Sequence, residues 1–277
     1  MASPGVALGT RRRSRYGLRT AALAYVGVIV LLPLGVILWR TIRQGGSAFW
    51  DAVSSAQAQE AFRLTGIVAG SAVVINTVFG IGVALLLTRY RFPGRRMLSL
   101  FVDLPMSVSP IVVGLALVLV YGPYNGWFGK GLHNAGFEVI YAVPGMILAT
   151  TFVALPLVVR EIVPVLEDEG IDQEQAARVL GASAWQRFRR ITLPTIKWAL
   201  MYGVVLSIAR SIGEFGAVKV VSGNISGSGQ TQTATLLVDE RVEQLEPGAY
   251  QVAVVLIAIA VLAIVIVSLI RPKEEAP

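Results

Sequence analysis

Six long apolar segments constrain the fold of this chain more than any other feature of its sequence. Crossing the hydrocarbon core of a bilayer as a helix takes about 20 apolar residues. The segment Met97–Tyr121 contains a single charge, Asp103, and Trp198–Val221 contains three. The other four contain no Asp, Glu, Lys or Arg: Ala21–Trp39, Leu64–Thr88, Tyr141–Val159 and Tyr250–Ile270. The sequence therefore predicts an all-α membrane protein with six transmembrane helices.

The composition agrees with a membrane protein rather than with a soluble domain. Charged residues make up 15% of the 277 residues, and the mean hydropathy is +0.67, whereas a soluble domain has about 25% charged residues. There is no cysteine and a single histidine, His133. The sequence thus offers no disulfide framework and no thiolate metal site. A single histidine also leaves little for a His-based metal site or a catalytic triad. We predict no catalytic and no metal-binding residues, and therefore no enzyme activity, for this chain.

The first apolar segment follows five arginines, as a cleaved signal peptide would: Arg11, Arg12, Arg13, Arg15 and Arg19. Signal peptides have an apolar region of about 7–15 residues, followed by a small-x-small cleavage site. The run Ala21–Trp39 is longer, and no such site follows it before Arg40. We expect a retained span. The chain then divides into a basic N-terminal segment (1–20), a transmembrane domain (21–270) and a short tail (271–277).

Lysine and arginine are distributed unequally between the two sets of loops. With the N-terminus placed in the cytoplasm, 17 of the 24 basic residues lie on the cytoplasmic side. The opposite side holds five: Arg40, Arg43, Arg63, Lys130 and Arg241. Cytoplasmic loops carry an excess of basic residues, so both termini and the loop 160–197 are predicted to be cytoplasmic. This topology accounts for the net charge of +7, and no nucleic-acid partner is expected.

The cytoplasmic loop 160–197 has the pattern of two short helices joined at an angle. Asp172 is a candidate N-cap for the first helix, with Gln175 completing a capping box three residues later. Small and apolar residues form a flat side on that helix: Ala176, Ala177, Val179 and Leu180. Gly181 suits a left-handed stop at the C-terminus. The first helix thus presents small residues where another surface has to approach closely.

The second helix of the loop carries the same kind of start signal. Ser183 and Gln186 repeat the capping pattern, and Pro194 is expected to end the helix before the next span. Apolar residues recur at spacings of three: Trp185, Phe188 and Ile191. Basic amphipathic segments also lie on lipid headgroups. Membrane lipid is therefore an alternative partner for the three arginines of this helix: Arg187, Arg189 and Arg190.

The spacing within this loop resembles a pattern of ABC-importer permeases, in which EAA is followed by three residues, glycine, nine residues and I-x-L-P. Here the positions hold Gln175-Ala176-Ala177, Gly181 and Ile191–Pro194, with glutamine in place of the usual glutamate. The resemblance implies that the segment 172–194 forms the coupling helix, which docks into a cleft of the cytoplasmic ATPase. The implied docking residues are Glu174, Gln175, Ala176, Ala177, Gly181 and Ala182.

Two further stretches are similar to sulfate/thiosulfate permeases of the CysW type, with molybdate permeases as near relatives. Asp103–Gly122 resembles their third helix, and Arg210–Val238 resembles their fifth helix and the following loop. Together with the coupling loop, the likeness covers most of residues 60–270. It implies the six-helix fold of a type I ABC-importer permease in a bacterial inner membrane, with import of sulfate or thiosulfate as the function.

No Gly-x4-Gly-Lys-Ser/Thr sequence occurs in the chain, so it lacks the phosphate-binding loop of ATPases. The resemblance implies that ATP and magnesium are bound by two separate ATPase subunits, and that this chain binds no cofactor itself. It also implies an external sulfate-binding protein and a second, related permease subunit, which the first helix would reach.

Alternatives to sulfate import stay open at this point. A molybdate or tungstate permease belongs to the same class, because these anions are also tetrahedral dianions. An ion-coupled secondary transporter without an ATPase partner would need its own coupling-ion site. Such transporters often carry internal repeats, and we find neither repeats nor acidic relays. A membrane-embedded enzyme would need a constellation of reactive side chains that the apolar segments lack.

Arg210 and Glu214 are the charges placed deepest in a predicted span. Arg210 is about 18 Å along the helix from Trp198, near mid-membrane. Glu214 follows four residues later on the same face, so the two can pair. Charges in membrane helices normally pair or face a cavity, and two roles stay open: a lock between helices, or part of the anion path. Lys219 lies on the opposite side and is expected to extend to the outer interface.

Three polar positions complete the predicted site residues. Asp103 is expected to cap a helix or to pair at the cytoplasmic interface. Ser222 and Asn224 begin a loop rich in Ser, Thr, Gln and Gly that runs to Thr235. We expect this loop to line an outer gate or to meet the binding protein, with a plain surface loop as the alternative.

Overall fold

The computed structural model describes residues 10–225 and 231–270, and every regular element in this part is helical. Residues 1–9, 226–230 and 271–277 lie outside the described residues; they include parts of the predicted N-terminal segment and outer loop, and the whole predicted tail. In chain order the helices are α1 (Thr10–Arg43), α2 (Gly45–Ser54), α3 (Ala56–Arg89), α4 (Arg95–Ser107), α5 (Pro110–Tyr121), α6 (Gly129–Asn134), α7 (Val143–Glu169), α8 (Asp172–Val179), α9 (Ala184–Arg187), α10 (Leu193–Ile212), α11 (Gly216–Ser222), α12 (Ala234–Glu243) and α13 (Ala249–Ile270). A π-helical turn, Phe188–Thr192, joins α9 to α10.

Five helical stretches are long and apolar enough to cross a membrane, and a sixth span results if α4 and α5 are counted as one. The five are Arg19–Arg43, Ala56–Arg89, Val143–Glu169, Ala184–Ile212 and Ala249–Ile266. The predicted multi-span helical architecture is confirmed. The sixth stretch is a bent pair of helices rather than one straight helix.

The apolar segment Met97–Tyr121 does not form the single helix predicted from its length. Instead, α4 and α5 meet at an angle of 114°. Val108 and Ser109, which lie between them, have extended backbones, and Pro110 opens α5. A proline disfavours the helical conformation of the residue before it. The break therefore follows from proline at position 110, which a count of apolar residues ignores.

The helices α3, α7 and α10 form the centre of the bundle and pack closely where glycine leaves room. A Cβ atom on Gly80 of α3 would lie 2.8 Å from a methyl carbon of Val158 on α7. A Cβ atom on Gly203 of α10 would lie 3.0 Å from the Cα atom of the same valine. Small residues permit such close approach between membrane helices. Gly66 and Gly70, by contrast, are exposed and meet no neighbouring atom within 4 Å in the described part of the chain.

The stretch Ala184–Ile212 is one continuous helix, so Pro194 does not end the second loop helix as predicted. Leu193 donates its backbone N–H to the carbonyl of Phe188, five residues earlier. A proline in a regular helix clashes with the carbonyl four residues before it, and helices absorb such defects through wider turns and kinks. The π-helical turn directly before Pro194 therefore lets the helix continue past the proline ring.

Helix α1 buries none of the residues in its most apolar stretch. It packs against α13, where Arg40 donates a hydrogen bond of 3.1 Å to the hydroxyl of Tyr250. Large apolar side chains are exposed along residues 23–39 of this helix, including Leu23, Leu31 and Trp39. Such a surface suits lipid or another subunit. Contact of this helix with a partner permease stays a prediction.

Candidate functional site

The helices α8 and α9 are the two short helices predicted for the cytoplasmic loop. Gly181 follows α8 with a φ of +86°, in the left-handed region that favours glycine. Its N–H bonds to the carbonyl of Arg178 at 3.0 Å. The N–H of Ala182 bonds to the carbonyl of Ala177, also at 3.0 Å. This pair of hydrogen bonds is a Schellman motif, and the predicted left-handed stop at Gly181 is confirmed.

The start of α8 differs from the prediction. The N-cap is Ile171, which makes no side-chain cap, and Asp172 is the first helical residue. A capping residue needs non-helical dihedral angles, so Asp172 does not cap the helix and the predicted box with Gln175 does not form. The carboxylate of Asp172 still interacts favourably with the N-terminal end of the helix dipole.

The second helix begins as predicted. Ser183 is the N-cap of α9, and its hydroxyl accepts the N–H of Gln186 at 3.3 Å. The N–H of Ser183 in turn donates to the side chain of Gln186 at 2.8 Å. Trp185 stacks on Phe188, with their ring centroids 5.6 Å apart. The capping box is therefore confirmed, and a stacked aromatic pair stiffens the turn after it.

The tip of this helix pair exposes apolar side chains. Val179 and Leu180 are each 87% exposed, and Gln175, Ala176 and Gly181 are exposed beside them. Exposed apolar residues that cluster among small ones are typical of a protein contact. We call residues 175–182 the docking surface.

Glu174, which the resemblance implied as a docking residue, contacts the ends of the core helices through its side chain. Its Oε1 atom lies 3.1 Å from Nη2 of Arg89 and accepts a hydrogen bond of 2.9 Å from the hydroxyl of Thr192. The structure therefore separates Glu174 from its exposed neighbour Gln175. Arg89 is not among the predicted site residues, because it is one of four arginines that follow the second span and no local pattern distinguishes it from the others.

Arg210 and Glu214 form the predicted ion pair, with 2.7 Å between Nη1 and Oε2, but they do not lie inside one helix. α10 ends at Ile212, so Arg210 is in its last turn and Glu214 lies beyond it. The Oε1 atom of Glu214 accepts the N–H of Ala217, in the first turn of α11, at 3.0 Å. The pair therefore marks a break that divides the predicted span Trp198–Val221.

Arg210 also borders a cavity of about 240 Å³. Both sides of the α4–α5 break and part of α7 line it: Pro105, Met106, Val108, Pro110, Val153 and Leu157. The side chain of Arg210 is 39% exposed, whereas that of Glu214 is 2% exposed. A cation fixed on one side by a carboxylate and open to a cavity on the other can attract an anion. Two helix breaks, α4–α5 and α10–α11, thus meet near one guanidinium.

Ser222 and Asn224 hold a turn at the end of α11. The hydroxyl of Ser222 accepts the N–H of Asn224 at 3.1 Å, and the amide oxygen of Asn224 accepts a hydrogen bond of 3.2 Å from Gln232. Ser222 is buried and Asn224 is half-buried. Residues 226–230 of the same loop lie outside the described part of the chain. A role of Ser222 and Asn224 at an outer gate stays a prediction.

Two other charged residues have partners on neighbouring helices. Lys219 lies 2.6 Å from Asp239 and 3.4 Å from Glu243 on α12. Lys219 therefore does not join the Arg210–Glu214 pair, and its extension to the outer membrane interface stays a prediction. Asp103 pairs with Arg160 at 2.8 Å, as predicted. Among the residues that the structure describes, no group of three or more His, Asp or Glu could hold a metal ion.

Sequence relatives identify the family. Residues 76–274 match the family described as "Binding-protein-dependent transport system inner membrane component". The sulfate transport system permease protein CysW of Synechococcus elongatus is 44% identical over 253 residues, which cover 91% of this chain and 87% of that protein. The sulfate transport system permease protein CysT of Salmonella typhimurium is 36% identical over 253 residues, which cover 91% of this chain and 90% of that protein.

A solved structure has the same fold. A chain of a bacterial ABC transporter involved in the import of the acidic polysaccharide alginate superimposes with a TM-score of 0.75, at 18% identity, over 94% of both chains. At this identity the likeness shows the fold, which is that of ABC-importer permeases. The chain belongs to the binding-protein-dependent inner membrane transport components, as a multi-pass permease subunit of an ABC importer in the bacterial inner membrane and not an enzyme.

Proposed function

We propose that this chain is one of two permease subunits of an ATP-driven sulfate/thiosulfate importer and forms half of its translocation path. The observation that carries the proposal is Arg210, a cation that borders a cavity between two broken helices and is paired with buried Glu214. An arginine in a low-dielectric site attracts a dianion strongly. A lone arginine would hold the anion too tightly for release, and the carboxylate offsets part of that attraction.

The relatives support sulfate as the cargo. Proteins named as sulfate permeases are 44% and 36% identical to this chain over almost its whole length. The greater identity to the CysW protein supports a CysW-like role, with a related CysT-like chain as the second permease. Molybdate or tungstate is the alternative cargo, because each is a tetrahedral dianion that the same arginine would attract.

The docking surface supports an ATPase partner. Val179 and Leu180 are the most exposed apolar residues of the loop, and the small residues beside them allow another chain to approach closely. We propose that two ATPase subunits bind ATP and magnesium, that one of them contacts residues 175–182, and that an external sulfate-binding protein delivers the anion. An ion-coupled secondary transporter would have no use for this surface.

Reconstitution tests the proposal. This chain, a CysT-like permease, the ATPase and the sulfate-binding protein are placed in proteoliposomes, and uptake of radiolabelled sulfate is measured. We expect uptake that requires ATP and falls when excess thiosulfate is added. Weak sulfate uptake with strong uptake of molybdate would identify the alternative cargo. Sulfate uptake that proceeds without the ATPase would instead support a secondary transporter.

A further inference from the structure

The cytoplasmic ends of three core helices meet α8 at one largely buried arginine. Arg89 is the last residue of α3, and its side chain is 11% exposed. Its Nη1 atom donates a hydrogen bond of 2.9 Å to the carbonyl of Leu166 in the last turn of α7. Its Nε and Nη2 atoms lie 3.2 and 3.1 Å from Oε1 of Glu174 on α8. The same oxygen accepts the hydroxyl of Thr192, the residue before α10, at 2.9 Å.

These contacts satisfy groups that would otherwise be unpaired. The last four carbonyls of a helix have no partner within it, and the guanidinium of Arg89 bonds to one of them, at Leu166. A cation at the C-terminal end of a helix is also favoured by the helix dipole. The planar guanidinium can donate in several directions at once, so Arg89 bonds to α7 and α8 together. The ammonium group of a lysine lacks this planar arrangement of several donors.

Helix α8 has little apolar contact that would hold it in place. None of its residues is buried, although packing of an apolar face is what usually stabilises a helix within a fold. Glycines with positive φ flank it on both sides, Gly170 at +72° and Gly181 at +86°. The backbone can rotate at such positions, because glycine has no Cβ atom and steric clash excludes few of its conformations. Glu174 supplies a polar anchor in place of the missing apolar one.

We infer that Arg89 is a positioning residue for energy coupling. Arg89, Glu174 and Thr192, which we call the clamp, hold α8 rigidly against the ends of α3, α7 and α10. A displacement of α8 then reaches all three core helices together. One of them, α10, carries Arg210 in its last turn, so the clamp connects the docking surface to the helix that borders the cavity. The inference rests on the proposed function, since it takes α8 to be the contact with the ATPase.

The first test separates coupling from assembly. In the reconstituted complex, Arg89→Gln is expected to keep ATPase binding and basal ATP hydrolysis. In this variant, the stimulation of ATP hydrolysis by the sulfate-loaded binding protein is expected to fall at least about tenfold, and so is sulfate uptake. A tenfold change is a usual size for coupling between sites. Glu174→Gln should behave alike, and the double variant should be no worse than either single one, because both act through one contact. Arg89→Lys should recover part of the uptake.

A matched control exists on the same side of the molecule. Arg95 and Glu167 form another arginine–glutamate pair between helices, 3.5 Å apart and exposed to 42% and 55%. Exposed pairs contribute little, and this one does not involve α8. Arg95→Gln is therefore expected to leave uptake and stimulation unchanged.

The second test measures the position of α8 directly. The chain has no cysteine, so spin labels can be attached at cysteines introduced for Tyr90, after α3, and Gln173, on α8 but outside the docking surface. Both residues are exposed. We expect one narrow distance distribution between the two labels through the ATP cycle, which becomes broad in Arg89→Gln.

A narrow distribution together with full stimulation in that variant would overturn the inference. Loss of assembly in Arg89→Gln but not in Glu174→Gln would also overturn it. That result would show that Arg89 is needed for the folding of α7 and not for the position of α8. A parent complex that binds no ATPase would refute the proposed function instead, while the distance measurement still reports on the clamp.

Discussion

The guanidinium of Arg210 lies 2.7 Å from the carboxylate of Glu214, yet the two side chains face different surroundings. Glu214 is buried and bonds to the first turn of α11, and its backbone carbonyl accepts the hydroxyl of Thr235 on α12 at 2.9 Å. Arg210 instead reaches the cavity beside the α4–α5 break. Glu214 therefore holds the α10–α11 break, whereas Arg210 borders the cavity. A role of Arg210 in the anion path stays a prediction.

The distribution of basic residues predicts the orientation of the chain in the membrane. Reporter proteins fused after Arg95 and after Arg187 are expected to be active in the cytoplasm, and one fused after Lys130 is expected to be active outside. The measurement is the activity of paired reporters that work on only one side of the membrane. An external signal from the Arg187 fusion would contradict the proposed ATPase contact, because no cytoplasmic protein could reach the docking surface.

Gly181→Val is expected to disturb the docking surface. The φ of +86° at this position is strained for a β-branched residue, at a cost of about 1–2 kcal/mol, and valine would add bulk where the partner approaches. We expect uptake and substrate-stimulated ATP hydrolysis to be lost or strongly reduced. Gly131→Val is the control, since Gly131 has open space around it and no positive φ. Normal stimulation in Gly181→Val would show that this glycine only ends a surface helix.

Gly80→Val is expected to destabilise the centre of the bundle. A Cβ atom at Gly80 would lie 2.8 Å from Val158, so α3 and α7 would have to separate. Overpacking of this kind costs about 1–3 kcal/mol, which thermal unfolding of the purified permease would report as a lower Tm. Gly82→Val is a control on the same helix, because nothing lies within 4 Å of a Cβ atom there. Equal melting temperatures for the two variants would contradict the observed packing of α3 on α7.

Local signals predicted much of the docking loop but not its attachment to the bundle. The capping box of Ser183 and the stop at Gly181 depend on residues within a few positions, and both are confirmed. The inward contact of Glu174 depends on Arg89, 85 positions earlier. Hydrophobic periodicity carries no information on which distant charges meet. Such a contact becomes visible only when α3, α7 and α10 are packed together.

The predicted transmembrane spans show the same limit of prediction from local sequence. Apolar length predicted the long apolar helices, but it missed the breaks at Ser109 and after Ile212. The first follows from a proline that the sequence shows plainly. The second depends on tertiary contacts, since Glu214 is held by Arg210 and Thr235. The residues that border the cavity therefore lie where prediction by length fails, which is common for functional sites.

The two single variants of the ion pair are expected to have different defects, one in assembly and the other in turnover. Arg210→Met would leave the buried carboxylate of Glu214 without its cation, at a cost of about 3 kcal/mol, so the complex should assemble poorly. Glu214→Gln keeps an oxygen that can accept the N–H of Ala217, so α11 should still form. The freed guanidinium of Arg210 is partly exposed and should hold sulfate longer. We expect normal assembly with slower turnover, measured by the yield of purified complex and by initial uptake rates.

The double variant Arg210→Met/Glu214→Gln distinguishes a helix lock from an anion path. It leaves no charge stranded, so it should assemble and bind the ATPase as the parent complex does. If Arg210 attracts the anion, a dianion that enters the membrane meets no cation in this variant, and uptake should fall at least about tenfold, or about 1.4 kcal/mol in the barrier. Sulfate uptake at the parent rate by a well-assembled double variant would show that the pair only holds the α10–α11 break. Poor assembly of the double variant would assign the pair the same structural role. It would show that removing both charges disrupts the fold even though no unpaired charge remains.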